Sequence, residues 1–321
     1  MRSEKLLQNG LRLWPSLWRS VARVNMPTVD RVAASRAAVA ARRARASIKA
    51  DLSNGTRTAL DVFLVGTIDA DSVEASLRMT DFLLSIPALG AKKMESVLSS
   101  LNISSRKRVG GLGPRQRAAV RSFLESRARS RGEHSRPRVV VLAGPTAVGK
   151  GTIVARILEE FPEVHMSVSA TTRAPRPGEI DGVNYFFVSP EEFDRLIAED
   201  QLLEWAVVHG TQRYGTPRGP VEESLRTGVS VLLEIDIQGA RQVKAHMPEA
   251  RTVFLEPPSW DELARRLESR GTETAQERVR RLETAREELA SRHEFDVRVV
   301  NDEVGLAAQQ VVDLMGLTKE H

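Results

Sequence analysis

The 321-residue sequence predicts an α/β domain built on a parallel sheet with a phosphate-binding loop, preceded by a small all-α helical domain. Three observations carry this reading. Charge divides the chain: residues 1–136 hold 25 Lys+Arg against 11 Asp+Glu, and residues 137–321 hold 22 against 31. After residue 137 the pattern changes to apolar runs at 139–143, 229–235, 252–255 and 297–300 with helical stretches between them, as in a doubly wound parallel sheet. The first run leads into Gly144-Pro145-Thr146-Ala147-Val148-Gly149-Lys150-Gly151-Thr152. That segment fits G-x-x-x-x-G-K between a strand and a helix, the context that gives the motif meaning.

Composition sets the bounds. Hydrophobic residues make up 41% and charged residues 28%, enough apolar mass for two cores. There is no cysteine, so disulfides, a thiol nucleophile and a Cys-based zinc site are excluded, and a reducing cytoplasm is the expected location. No apolar stretch reaches the ~18 residues needed to span a bilayer, so no membrane partner is expected. The six histidines show no metal-ligand spacing, and no protein-held metal site is expected.

In chain order, residues 1–26 read as an N-terminal extension, with Arg12, Arg19 and Arg23 interleaved with Leu11, Leu13, Trp14, Leu17 and Trp18. A basic amphipathic helix or a transit-like segment fits this pattern; the preferred reading is that translation begins at Met26. Residues 27–130 form the helical domain. Thr28 opens an Ala- and Arg-rich helix that runs to Leu52 and ends at Asn54-Gly55. Two short helices follow, one through Leu60, Val62, Phe63 and Val65, the other through Val73, Ala75, Leu77, Met79, Phe82 and Leu83. A helix through Leu98 comes after Ile86-Pro87-Ala88-Leu89-Gly90, and another begins at Arg115 after the turn Gly110-Gly111-Leu112-Gly113-Pro114. Residues 131–137 read as a polar linker that should let the rest fold and catalyse alone, and residues 138–318 as the α/β domain.

In the loop, glycines allow backbone amides to close around phosphate oxygens, and the following helix start adds positive potential. Lys150 places a compact charge on the phosphates. Gly151 stands where Ser or Thr commonly ligates Mg²⁺, and Thr152 is one residue late. ATP use is expected, with Mg²⁺ held mainly by nucleotide and water.

Downstream stands Ser167-Val168-Ser169-Ala170-Thr171-Thr172-Arg173-Ala174-Pro175-Arg176-Pro177-Gly178-Glu179, then Asp181-Gly182-Val183-Asn184-Tyr185-Phe186-Phe187-Val188. With Leu203-Glu204-Trp205-Ala206, Tyr214-Gly215-Thr216, Glu234-Ile235-Asp236-Ile237-Gln238-Gly239, Arg270-Gly271-Thr272-Glu273 and Val300-Asn301-Asp302, these segments closely resemble the guanylate kinase signature over residues ~137–315. The resemblance implies an α/β P-loop kinase that transfers the γ-phosphoryl of ATP to GMP. Arg173 and Arg176 are forked donors suited to the acceptor phosphate, and Tyr185 and Tyr214 match positions that add hydroxyl donors. Guanine differs from adenine in its N1–H and N2 amino donors, which require acceptors. Glu204 and Asp236 match the family's base-reading carboxylates, and Ser169 and Thr216 match the small hydroxyl residues beside the base. The plainer alternatives are a strand-end cap for Asp236 and a surface helix charge for Glu204. Arg270 and Arg281 match the lid arginines that steady the transferring phosphoryl; Arg266, Arg278 and Arg280 lie close by. Asn301 matches a position near the adenine of ATP.

The basic half carries a second resemblance. Ala40-Ala41-Arg42-Arg43-Ala44-Arg45-Ala46, Ile86 through Lys93, Leu101-Asn102-Ile103 and Arg106-Lys107-Arg108-Val109-Gly110-Gly111-Leu112-Gly113 resemble the actinobacterial integration host factor family over residues 28–126. That implies duplex DNA as a partner, held through its backbone, with Arg42, Arg43, Arg45, Gly90, Lys92, Lys93, Arg106, Lys107 and Arg108 as candidate contacts. RNA or another polyanion, or no nucleic acid at all, are the alternatives. Few aromatic residues lie here, which argues against single-strand readout. Ala88 stands where a first glycine is expected, which puts left-handed backbone geometry at that turn in question.

Overall fold

A computed structural model describes residues 31–131, 137–208, 212–268 and 275–317. The N-terminal extension, residues 132–136 of the linker and Arg270 lie outside the described residues. Two compact units are present, Met1–Ala44 and Arg45–His321. In the first, residues 32–43 are exposed helix, part of the beginning of α1 (Arg31–Asn54). Gly55, at φ 77°, follows that helix, as the Asn-Gly pair predicts.

The second unit contains the helical bundle and the sheet together. Helix α2 (Ala59–Ile68) starts where the Thr58 side chain accepts from the Asp61 amide. Helices α3 (Met79–Leu84), α4 (Ala91–Ser100) and α5 (Pro114–Ser130) follow. Ile48, Leu52, Val62, Phe63, Met79, Phe82, Leu98, Val120 and Leu124 share one buried cluster. The single helix expected through Val73–Leu83 is two pieces, a 3-10 turn at Glu74–Ser76 and α3. Leu77 and Arg78 between them are extended, because the Met79 amide donates to Lys107 O and the Val109 amide to Leu77 O. Pairing with the basic loop wins over helix propensity there. Ala88 does take the left-handed conformation, with φ 61°, so the missing glycine costs strain of about 1–2 kcal/mol rather than the turn.

The sheet of the α/β part has five parallel strands, β1 (Val139–Ala143), β2 (His165–Met166), β7 (Val231–Glu234), β8 (Arg251–Glu256) and β9 (Val297–Val300), in the order β2-β7-β1-β8-β9. β1 is buried along its whole length, which is why it reads as an unbroken apolar run. Helices α6 (Lys150–Glu160), α9 (Ile237–His246), α10 (Trp260–Glu268), α11 (Ala275–Ala290) and α12 (Val304–Leu314) accompany it. A second sheet, β4-β3-β6-β5, is built from β3 (Ala170–Thr171), β4 (Phe186–Phe187), β5 (Leu202–Val208) and β6 (Gln212–Pro217), flanked by α7 (Pro190–Ala198) and α8 (Arg218–Arg226) in sequence. No described helix is long and apolar enough to cross a membrane.

The helical bundle is bonded to the large sheet. Asp61 of α2 is 4% exposed and accepts from Arg251 at 2.5 and 2.8 Å and from Arg138 at 2.7 Å. Burial alone would raise its carboxyl; the hydrogen bonds and charge of Arg251, with Arg138 and Arg57, outweigh that and hold it well below the usual range. Arg298 of β9 grips Asp69 at 2.6 and 3.1 Å, and Arg121 of α5 grips Asp313 of α12 at 2.6 and 2.8 Å. Val65 of α2 joins the buried cluster of the α/β part. An interface of forked, largely desolvated ion pairs thus joins the bundle to the α/β part.

Candidate active site

The phosphate loop leaves β1 and enters α6. At Gly144 an added Cβ would lie 2.5 Å from Leu255 O, and at Gly149, φ 100°, it would lie 2.7 Å from Asn301 Nδ2. Both positions demand glycine. Between them Thr146 and Ala147 carry the turn, Ala147 at φ 64°, and Val148 is fully buried. Pro145 O accepts from the Val148 amide. Lys150 begins the helix and folds back, its Nζ donating to Gly144 O at 2.7 Å. Burial pushes its ammonium down from the ordinary lysine value, while the charges of Glu288, Glu234 and Asp236 work the other way. Gly151 and Thr152 are exposed in the first turn of α6.

Around the loop, Asn301 is 2% exposed. Its Nδ2 donates to Val148 O at 2.8 Å, and its Oδ1 is a buried acceptor without a partner among the described residues. Arg266 donates to the same Val148 O at 3.0 Å and to Glu262 at 2.8 Å. Arg281 is half-buried on α11. Seven residues on, Glu288 accepts from the Thr146 amide at 2.8 Å.

The small sheet carries the expected acceptor residues. Glu204 and Thr216 are directly opposed on β5 and β6, so both side chains project to one face. The Thr216 hydroxyl donates to Glu204 Oε1 at 2.7 Å. Glu204 Oε2 faces Gly239 of α9, where an added Cβ would come within 2.9 Å. Burial, with a further push from the Asp236 charge, raises the Glu204 carboxyl to about 7 against the hydrogen bonds from Thr216. Glu204 is thus a buried strand residue, not a helix-surface charge. Asp236 does act as a cap: its Oδ1 accepts from the Gly239 amide at 2.7 Å at the start of α9.

Tyr214, two residues before Thr216, points to the same face of β6. Its hydroxyl accepts from Arg173 Nε at 3.2 Å. Arg173 also lies 5.3 Å from the Tyr185 ring centre, and the two tyrosine rings meet edge-on at 5.8 Å. Glu179 takes both terminal nitrogens of Arg173 at 2.8 and 2.9 Å and the Arg176 amide at 2.7 Å. The Arg173 guanidinium is held well above its ordinary value, first by this hydrogen bond to Glu179. Arg176 has an exposed side chain, and Ser169 is half-buried just before β3.

Sequence reading left out Glu179, Glu234, Gly239, Arg266 as a loop ligand, and Glu288. Glu179 had a signal, a carboxylate six residues after Arg173 in one polar run. Glu288 had none, since its partner is 142 residues away.

Of the candidate nucleic-acid contacts, Gly90 is the N-cap of α4 and Lys92 and Lys93 are exposed in its first turn. Arg42 and Arg43 are exposed and Arg45 half-buried on α1. In the basic run Lys107 donates to Gly111 O at 2.9 Å and Arg108 to Ser76 O, so those two also hold their own loops together. Arg106 has an exposed side chain.

Comparison with known proteins accords with this arrangement. The guanylate kinase family model matches residues 136–317 and the S13-like H2TH domain model residues 58–123. A guanylate kinase of Leifsonia xyli subsp. xyli is 60% identical over 243 residues, 76% of this chain and 95% of that protein. One from Nocardia farcinica is 60% identical over 184 residues, 57% of this chain and 95% of its own length. The crystal structure of guanylate kinase from Anaplasma phagocytophilum is 33% identical, covers 57% of this chain and 86% of that one, and superposes with a TM-score of 0.45. A structure of sIHF bound to an 8 bp palindromic DNA is 29% identical over 28% of this chain and 98% of its own, with a TM-score of 0.26. The family model spans more than half the chain, and the Leifsonia relative is matched along nearly its whole length. The chain belongs to the guanylate kinase family and is an ATP-dependent nucleoside-monophosphate kinase.

Proposed function

We propose that the loop at 144–152 holds ATP, that the small sheet holds GMP, and that the helical bundle binds duplex DNA through its backbone. The observation that carries the GMP assignment is Glu204: a buried carboxylate with one oxygen tied to Thr216 and the other beside Gly239. Guanine N1–H and the N2 amino group would satisfy it, with Asp236 as second acceptor and the hydroxyls of Thr216 and Ser169 nearby for O6. AMP would leave those acceptors unpaired, which is how a polar site rejects an analogue. Arg176, Arg173 and the hydroxyls of Tyr185 and Tyr214 would receive the acceptor phosphate, and Asn301 would lie near adenine.

The reaction needs no protein nucleophile. A GMP phosphate oxygen attacks the γ-phosphorus, one P–O bond forms, the bond to the β–γ bridging oxygen breaks, and ADP leaves with the electron pair. Positioning and electrostatics carry the rate. Lys150, Arg281 and Arg270 would meet the charge that spreads over the transferring group. Mg²⁺ is implied with ATP, and the oxygens of Thr152 and Glu234 beside the loop fit a hard cation held chiefly by phosphates and water. No group of three or more His, Asp or Glu side chains is placed to cage a metal among the described residues. The ion would neutralise β- and γ-phosphate charge.

Calorimetric titration of the chain with GMP and with AMP, without ATP, tests the acceptor assignment. GMP should bind and AMP should bind at least tenfold more weakly, the scale of one unpaired polar group; equal affinities would sink it. The DNA reading is supported by the basic charge of residues 1–136, by the scarcity of aromatic residues and by the amides at the Gly90 start of α4. The proposed division places the helical module at 27–130 and the kinase at 138–318.

A further inference from the structure

Helix α11 presents one packed face: Leu282, Ala285 and Leu289 join the core cluster of the α/β part, with Ala285 fully buried. Arg281 and Glu288 are half-buried on the same helix. Seven residues are close to two turns, so the two side chains leave one flank about 10 Å apart along the axis. At the far end of that spacing, Glu288 accepts from the Thr146 amide at 2.8 Å. Thr146 precedes Ala147, which sits in the left-handed region at φ 64°, a conformation that survives only where its surroundings fix it. The Glu288 charge also acts on Lys150, ahead of those of Glu234 and Asp236.

We propose that Glu288 is a positioning residue for phosphoryl transfer. Its carboxylate keys α11, and Arg281 with it, to the backbone of the phosphate loop. A charge-assisted hydrogen bond to an amide is among the stronger single contacts available. Here it joins the two elements whose relative placement decides where a lid arginine meets the γ-phosphoryl. Glu288 touches neither substrate in this role; it fixes the peptide ahead of Ala147 and sets the height of Arg281 above the loop. The inference rests on the reading of that loop as the ATP site.

The test is steady-state kinetics of Glu288→Ala and Glu288→Gln beside Lys150→Ala. Lys150→Ala tests the loop itself, and its failure to abolish turnover would remove the ATP-site reading. With the loop upheld, Glu288→Ala should lower kcat/KM for ATP roughly tenfold to a hundredfold, the range of one such bond, while KM for GMP stays within about twofold. Glu288→Gln keeps an acceptor oxygen for the Thr146 amide and should recover most of the loss. Equal damage in both variants would overturn the proposal, as would unchanged ATP kinetics. A lower KM for ATP in Glu288→Ala would overturn it too, since the carboxylate would then be competing with phosphate. If Glu288→Ala does not fold, the near-isosteric Gln variant decides alone: a tenfold loss in folded protein contradicts the proposal.

Discussion

Replacing Glu204 by Gln should make the nucleotide-free protein more stable at alkaline pH and a poorer GMP enzyme. The carboxyl is raised from the usual 4.5 to about 7 by burial first and the Asp236 charge second. An unfolded chain releases that proton near 4.5, the folded chain near 7, so the folded state binds more protons between them. Stability of the parent therefore falls as pH rises through this window, and the penalty is complete above about 7. At about 1.4 kcal/mol per unit, a shift of that size is at most about 3.5 kcal/mol. Gln carries no such penalty. The gap between variant and parent should be near zero at pH 4 and open to as much as about 3.5 kcal/mol at pH 8. For the ligand, Gln turns one acceptor site toward guanine into a donor, which costs about 1–3 kcal/mol, or roughly tenfold to a hundredfold in KM for GMP. The assays are urea unfolding at the two pH values and steady-state kinetics at pH 8. A variant less stable than the parent at pH 8, or one with unchanged GMP kinetics, would refute the reasoning.

Three further outcomes are expected from the same geometry. Gly239→Ala should raise KM for GMP with little change in kcat, because the new Cβ would meet Glu204 Oε2 at 2.9 Å; kinetics like the parent's would show that Glu204 is free to move. Asp61→Ala leaves Arg138 and Arg251 facing each other without their counter-charge and should cost about 3 kcal/mol or more in unfolding free energy. Because its carboxyl is depressed, the contribution of Asp61 is present above about pH 4 and lost as pH falls, so the variant should differ least in acid. Charge removal at Lys92, Lys93, Arg106, Lys107 and Arg108 in the full chain should weaken duplex DNA binding alike for all sequences and flatten its salt dependence, by about 0.9 in the log–log slope for each phosphate no longer neutralised; equal binding by both versions would move the surface to Arg42, Arg43 and Arg45.

Some of this was legible in the sequence because local chemistry decided it. The unbroken apolar run at 139–143 is a strand buried on both faces, and the glycines that follow stand where a Cβ has no room. The two-residue strands β2, β3 and β4 are too short to show a period of two, so the small sheet was invisible as a sheet although its motifs were plain. The helix expected across Val73–Leu83 breaks at Leu77-Arg78 because its partner is the loop at Lys107–Val109, a pairing no local pattern announces. Ala88 adopts a glycine-like φ through its setting. Asp61, Asp69 and Arg121 find their partners in the α/β part of the chain, and single charges in a basic half give no sign of that.

The most direct test of the central claim is the rate of ADP formation from ATP with GMP, AMP, UMP and CMP offered in turn as acceptor, in a coupled assay on the full chain. A site built on the buried Glu204 and the capping Asp236 predicts rapid turnover with GMP and a kcat/KM at least a hundredfold lower for each of the others, the scale of two unpaired acceptors. Comparable turnover with AMP, or none with GMP, would contradict it.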